Sequence, residues 1–215
     1  MRLIAGGASV TGPRHLELME PNQDAMGLVG YRGGWLASVA DGLGSRFRSD
    51  QGSRKACQVA RRVMRTAKNC FVLPDAIQST HGQWLEAIGS IPPEDAATTI
   101  LFARVTANGE VHAAQLGDGL LLMRCGGEFS CVTPERAGFS NQTLALEAEH
   151  KQNNWIMTEG VLTRPGDGVV LMSDGVADDL DLDHLHEFFD TLYLTVRPFC
   201  CLPPRIAPPA LDKLQ

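Results

Sequence analysis

The apolar positions along this chain fall first into short runs cut by glycine, then into a helical rhythm, then into short runs again. Residues 2–10 are expected to form a strand that stops at Thr11-Gly12-Pro13. A polar loop carrying His15 leads to Asn22-Gln23-Asp24. Ala25 to Tyr31 and Trp35 to Ala40 read as two strands around the turn Arg32-Gly33-Gly34, because each is a short apolar run bounded by glycine. From Gln51 to Thr66 the apolar residues recur at helical spacing, at 56, 59, 60, 63 and 64. Arg54, Arg61, Arg62 and Arg65 lie on the other side, and a solvated helix face accounts for them better than a basic binding surface. A second helix opens at Pro74-Asp75, runs through Ile77, Trp84, Leu85 and Ile88, and ends near Gly89.

Beyond the loop Ile91-Pro92-Pro93-Glu94-Asp95, strand patterning returns. Thr98 to Val105 and Val111 to Leu116 flank Asn108-Gly109, the strongest short hairpin signal a sequence offers. The second of these strands runs into Gly117-Asp118-Gly119. Leu120 to Cys125 and Phe129 to Thr133 form another pair about Gly126-Gly127. Residues 134–160 read as an irregular insertion or flap, with a short helix expected over Thr143 to His150. Val169 to Met172 is a fully apolar strand ending in Ser173-Asp174-Gly175, and a helix is expected over Asp179 to Leu192, acidic at its start as the helix dipole favours.

Composition narrows the function classes. At 215 residues, 44% hydrophobic and 20% charged, the chain suits one globular domain. A net charge of -6 with no compensating basic block argues against a nucleic-acid binder. The six cysteines, at 57, 70, 125, 131, 200 and 201, contain no CxxC pair and read as thiols of a reducing compartment. The N-terminus is too short and polar for a signal peptide, and no apolar run is long enough to span a membrane. A cytoplasmic, monomeric protein is expected.

The chemistry gathers on aspartates. Asp41, Asp118 and Asp174 each end an apolar strand and are each followed by glycine, while Asp24 sits where a strand begins. An Asp-Gly pair at a strand end is by itself an ordinary turn. Four such carboxylates brought to one end of a sheet would repel one another unless cations joined them. An all-oxygen donor set selects Mg²⁺ or Mn²⁺ rather than a softer metal.

The segments Asn22-Gln23-Asp24, Asp41-Gly42-Leu43-Gly44, Ala97-Thr98-Thr99, Gly117-Asp118 and Ser173-Asp174-Gly175 resemble, in order, the motifs of the metal-dependent type-2C (PPM) Ser/Thr protein phosphatases, and His15 with Pro21 to Ala25 is similar to a bacterial branch. The resemblance implies an α+β fold: a four-layer α-β-β-α sandwich of two antiparallel sheets flanked by helices, over residues 1–196. Residues 197–215 would then be a proline-rich tail with a truncated or non-native C-terminus. It implies two Mg²⁺ or Mn²⁺ ions, and a third in bacterial members. Asp41 would bridge the first two ions, the Gly42 carbonyl would ligate one, Asp174 would hold the other, and Asp24 would orient bound water. Asp118 and Asp178 match the positions of the third ion. Two ions ~3.5–4 Å apart would activate a water for in-line attack on phosphorus, with no phosphoenzyme. Phosphorylated proteins, targets of a Ser/Thr kinase, would be the substrates, which places the chain in signalling.

The sequence departs from the family at two places. Met19 stands where the family carries a phosphate-binding arginine, and Arg14 or His15 is the candidate to replace it. The closing Asp-Asn pair that completes the second metal's shell is absent, and Asp212 is the substitute at hand. These departures support an alternative: a catalytically weak or inactive relative that binds phosphorylated partners. Asp179, Asp181, Asp183 and Asp190 imitate a calcium loop but place His184 where that loop needs glycine.

Overall fold

The structure is a computed structural model that describes residues 2–66, 71–134, 143–149 and 151–196. A short helix α1 (Pro13–Glu17) precedes the hairpin β1 (Asp24–Tyr31) and β2 (Gly34–Asp41). Two longer helices follow, α2 (Ser49–Thr66) and α3 (Leu73–Ile88). Then come β3 (Ile100–Val105), β4 (Glu110–Leu116), β5 (Leu120–Cys125), β6 (Glu128–Cys131), β7 (Ile156–Val161) and β8 (Gly168–Met172). The single turn α4 (Asp174–Ala177) and the helix α5 (Leu185–Val196) close the described chain.

These strands make two sheets, in the orders β1-β2-β3-β4-β7 and β6-β5-β8, with every pairing antiparallel. The period-two alternation of the strands distributes side chains over three apolar layers. Leu36, Ile100, Phe102, Ala114 and Leu116 point from the larger sheet to α2 and α3, where Ala56, Ala60, Met64, Ile77 and Trp84 meet them. The intervening residues Leu101, Ala103, Val111 and Ala113 face the smaller sheet and pack on Leu121 and Met123. The outer face of that sheet, Leu120, Leu122 and Met172, is covered by Ala177, Leu185 and Phe189 of α4 and α5. The result is the four-layer α-β-β-α sandwich of two antiparallel sheets flanked by helices. β5 separates two of these apolar layers, so its first five residues are all buried.

Polar anchors fix the layers. Trp84 is fully buried and donates from Nε1 to the Gly52 carbonyl at 3.1 Å, joining α3 to α2. Gly52 in turn lies so close against the Ala96 carbonyl that no side chain fits there. Arg124 pairs with Asp190 at 2.6 Å and lies over the Phe189 ring, which gives a structural role to the last aspartate of the imitation calcium loop.

Four expectations from the sequence are corrected. Residues 2–10 form no strand and join no sheet. Gly6-Gly7 weakens strand formation, and the segment is held by single contacts instead, such as Trp35 Nε1 to the Leu3 carbonyl at 3.4 Å. Thr143 to Glu149 is not helical: its backbone crosses the motif at Thr98, with Leu146 N donating to the Thr98 carbonyl at 2.8 Å, while His150 lies outside the described residues. The segment expected to be an irregular flap contains β7, an edge strand that pairs with β4. The last helix starts at Leu185 rather than Asp179, because the Asp181 carboxylate accepts from Asp183 N and His184 Nδ1 and holds a separate 3₁₀ turn first. Cys57 is buried and its thiol is pushed up to about 11 by burial, an inert group. Cys70, Cys200, Cys201 and the proline-rich tail lie outside the described residues.

Candidate metal centre

Three strand ends bring the aspartates together. Asp24 opens β1 and Asp41 closes β2, and the register of that hairpin makes them cross-strand partners. Asp174 follows β8, which packs from the second sheet, and begins α4 with Ser173 as its N-cap residue. The Asp41 carboxyl lies close enough to those of Asp174 and Asp24 for both to raise its pKa. Ser173 Oγ donates to Asp24 Oδ2 at 3.2 Å, a second link across the two sheets.

The backbone around Asp41 is tied down in a small volume. Asp41 N donates to Thr99 Oγ1 at 3.0 Å, while the Asp41 carbonyl accepts from Thr99 N and from Thr98 Oγ1, both at 2.8 Å. Gly42 N donates to the Gln23 carbonyl at 3.2 Å, and Leu43 N to the Ala97 carbonyl at 3.0 Å. The Ala97-Thr98-Thr99 motif, which leads into β3, therefore clamps the Asp41 loop. Asp24 N donates to Asn22 Oδ1 at 3.0 Å, so Asn22 sets the entry of β1.

Electrostatics distinguish this cluster from an ordinary carboxylate. Burial alone would push the Asp167 carboxyl up, but backbone N–H groups of Thr163, Arg164, Gly127 and Gly126 outweigh it and hold the carboxyl below its usual range. Among the described residues no backbone N–H donates to the Asp41 carboxyl. Burial, reinforced by the hydrogen bonds and negative charges of Asp174 and Asp24, pushes it up to about 9. Among the described residues no three His, Cys, Asp or Glu side chains surround one common point at ligand distance. Asp24 and Asp174 instead each lie beside Asp41, whose raised pKa favours its neutral form. Divalent cations suit this donor set, because they offset the repulsion among the carboxylates with oxygen ligands alone.

A pH dependence follows with a defined sign. In the metal-free fold Asp41 binds a proton up to about 9, whereas in the unfolded chain it releases it near 3.8. The folded state therefore holds more protons between those values, and metal-free stability falls as pH rises through that window. The melting temperature without metal should drop between pH 5 and pH 8, and Mn²⁺ should raise it more at pH 8 than at pH 5. A metal-independent, flat profile would contradict the cluster's charge state.

The remaining expected site residues are placed as follows. β5 pairs with β8 so that Leu120 faces Met172, and continuing that register sets Asp118 level with Asp174. The Asp118 carboxylate accepts from Thr143 Oγ1 at 2.9 Å. Gly117, at φ +108°, packs on the Thr99 side chain, which leaves Asp118 at the same end of the sandwich. Asp178 ends α4, its N–H donating to the Asp174 carbonyl at 2.8 Å. His15 Nδ1 lies 3.1 Å from Glu20, and among the described residues no hydrogen bond or ion pair joins it to Asp24, Asp41 or Asp174. Arg14 is on α1, and Met19 is almost fully exposed at φ +54°. Asp212 lies outside the described residues. Sequence reasoning misses Ser173 as a partner of Asp24, for which its place in the Ser-Asp-Gly motif is the only signal.

Comparison with known proteins agrees with this architecture. A profile of the family described as Protein phosphatase 2C matches residues 11–199. Among solved structures, the serine/threonine phosphatase Stp1 of Staphylococcus aureus is similar at 17% identity and TM-score 0.57, covering 87% of this chain and 87% of that one. The catalytic domain of the serine threonine protein phosphatase PstP, solved with two manganese ions, is 18% identical at TM-score 0.58, covering 81% and 86%. The photosystem II phosphatase PBCP is 17% identical at TM-score 0.58, covering 86% and 76%. No curated protein sequence matches the chain. At these identities the structural likeness carries the fold, and the profile, which spans most of the sequence, carries the family: the chain belongs to the protein phosphatase 2C family.

Proposed function

We propose that this protein is a Mg²⁺- or Mn²⁺-dependent phosphatase of phosphoserine and phosphothreonine in proteins. The observation that carries the reading is the convergence of Asp24, Asp41 and Asp174, from three strand ends in two sheets, around the Asp41 carboxyl. Asp41 and Asp174 would each hold an ion, Asp41 shared between two, with the Gly42 carbonyl as a further oxygen donor. Asp118 and Asp178, at the same end, would serve a third. Bound divalent ions supply a Lewis acid for the phosphoryl oxygens and a nucleophilic water at neutral pH. Asp24, fixed through Asn22 and Ser173, orients and accepts protons from water beside the Asp41 carboxyl. Thr98 and Thr99 keep the Asp41 backbone from moving as charge changes around it. Arg14 and His15 remain the candidates for substrate phosphate, with α1 as their carrier.

Phosphate release from phosphothreonine and phosphoserine peptides tests this. Activity should require Mn²⁺ or Mg²⁺ and disappear with a chelator, and phosphotyrosine peptides should be poor substrates. Intact Mn²⁺ binding with no release from any peptide at millimolar Mn²⁺ would overturn the enzyme reading.

A further inference from the structure

The solvent face of α2 presents cations in a regular stripe. Arg54, Gln58, Arg61 and Arg65 recur at helical i, i+4, i+7 and i+11 spacing, with Lys55 and Arg62 beside them. Arg54 pairs with Asp50 at 3.4 Å, and Arg62 Nε donates to Gln83 at 2.8 Å. Among the described residues Lys55, Arg61 and Arg65 make no ion pair. In a chain of net charge -6 such a stripe is a local reversal of sign.

The stripe borders a concave surface as well. A groove of about 700 Å³ is lined by Lys55, Arg61, Arg62 and Arg65, with Tyr31, Val59 and Ala87 among its other walls. A second groove, of about 240 Å³, lies between Arg54, Cys57 and the strand residues Ala25, Met26 and Gly27. Gln58 and Arg61 line both, so the two adjoin as one trough over the outer face of α2, bordered by β1 on one side and reaching Ala87 of α3 on the other. β1 is the edge of its sheet. On the β1 side its lining runs from Ala25, one residue from Asp24, to Tyr31, about 20 Å at strand rise.

We propose that this trough docks an acidic, extended segment of the phosphoprotein substrate, lying between about two and seven residues from the phosphorylated side chain. The proposal rests on the phosphatase reading for its substrate, and on the trough alone for its charge preference. Unpaired cations on the rim fit carboxylates, and the apolar walls fit the side chains between them. A nucleic acid fits less well. The one aromatic ring of the trough, Tyr31, lies among Arg32 and Arg65 and donates its hydroxyl to the Arg65 carbonyl at 2.9 Å, so it is not a free stacking platform. The negative net charge also repels a long polyanion while leaving a short acidic segment room to bind locally.

The test uses the full chain with Mn²⁺, a fluorescently labelled unphosphorylated glutamate-rich peptide, and its glutamine counterpart. Binding is read by anisotropy, so it does not depend on turnover. The glutamate peptide should bind more tightly than the glutamine one, and Lys55→Glu with Arg61→Glu should weaken it about tenfold, a change of the size expected when two charge contacts reverse sign. The KM for a phosphothreonine peptide with a glutamate flank should rise by a similar factor, and hydrolysis of p-nitrophenyl phosphate should be unchanged. If the charge-reversed variant fails to fold, Lys55→Gln with Arg61→Gln carries the same test at a smaller shift. Equal affinity for the two peptides, or tighter binding of an oligothymidylate at the same ionic strength, overturns the docking proposal while leaving the phosphatase reading intact. Peptide discrimination without any phosphate release would instead remove the phosphatase reading and keep the trough as a binding site.

Discussion

Asp41→Asn should lower Mn²⁺-dependent hydrolysis of p-nitrophenyl phosphate at least about 10³-fold, a loss expected when the shared ligand of a catalytic metal pair is neutralised. The amide has nearly the shape of the carboxyl, so Thr98, Thr99 and the β1–β2 register keep their contacts. The amide is neutral at every pH, so folding at pH 8 no longer requires the proton uptake that burial, Asp174 and Asp24 impose on Asp41. The metal-free variant should therefore melt at or above the wild-type temperature at pH 8, while its Mn²⁺-induced stabilisation shrinks. Lost activity with raised metal-free stability separates a ligand from a structural residue: a folding role for Asp41 would lower both. Hydrolysis by the variant within a few fold of wild type would remove Asp41 from the site.

Gly42→Ala should destabilise the fold by about 3 kcal/mol, at the upper end of what overpacking against fixed atoms causes. A Cβ built on Gly42 would lie 2.6 Å from the Ser49 carbonyl oxygen and 2.7 Å from its carbon, both backbone atoms at the start of α2. Neither can swing aside as a side chain could. Either α2 retreats or the Asp41 loop does, and the loop is held at Gln23 and Ala97 on its other side. For a domain of this size the melting temperature should fall by about 6–12 °C. A displaced loop also misplaces Asp41, so turnover should fall about 10²-fold at temperatures where the variant is still folded. Scanning calorimetry and p-nitrophenyl phosphate kinetics on one preparation check both numbers. An unchanged melting temperature would mean that the Ser49 backbone is free to move.

The hairpin of Asp24 and Asp41 is legible in the sequence, but its register is not: a turn of Arg32-Gly33-Gly34 would set Asp24 opposite Gly42. The structure turns on Arg32-Gly33 alone, and counting outwards from Tyr31 and Gly34 sets the two carboxylates opposite each other. The turn has the backbone this requires, with positive φ at both Arg32 and Gly33. Asn108-Gly109 is as legible, with Gly109 at φ +86°. Asp174 is not reachable by counting, because it comes from the other sheet, and only the resemblance of the motifs places it beside Asp41. The elements that differ from expectation share a cause. β7 alternates half-buried and exposed residues around a glycine, so its apolar signal is faint, and it is defined by its ladder to β4. Residues 2–10 carry a better apolar pattern but find no ladder. Thr143 to Glu149 has helical composition, yet a single bridge from Leu146 to Thr98 fixes it extended across the site. Tertiary partners decide all three.

Among the described residues the structure singles out no phosphate-binding cation. His15 is engaged by Glu20 and Met19 projects into solvent. A substrate held by ions and by the α2 trough would need such a cation less than one held by the phosphate alone.

Anomalous diffraction from Mn²⁺-soaked crystals tests the central claim most directly. Manganese peaks shared by the carboxylates of Asp41 and Asp174, with Asp24 alongside, are the expected result. No peak beside those three carboxyls at saturating Mn²⁺ would contradict it.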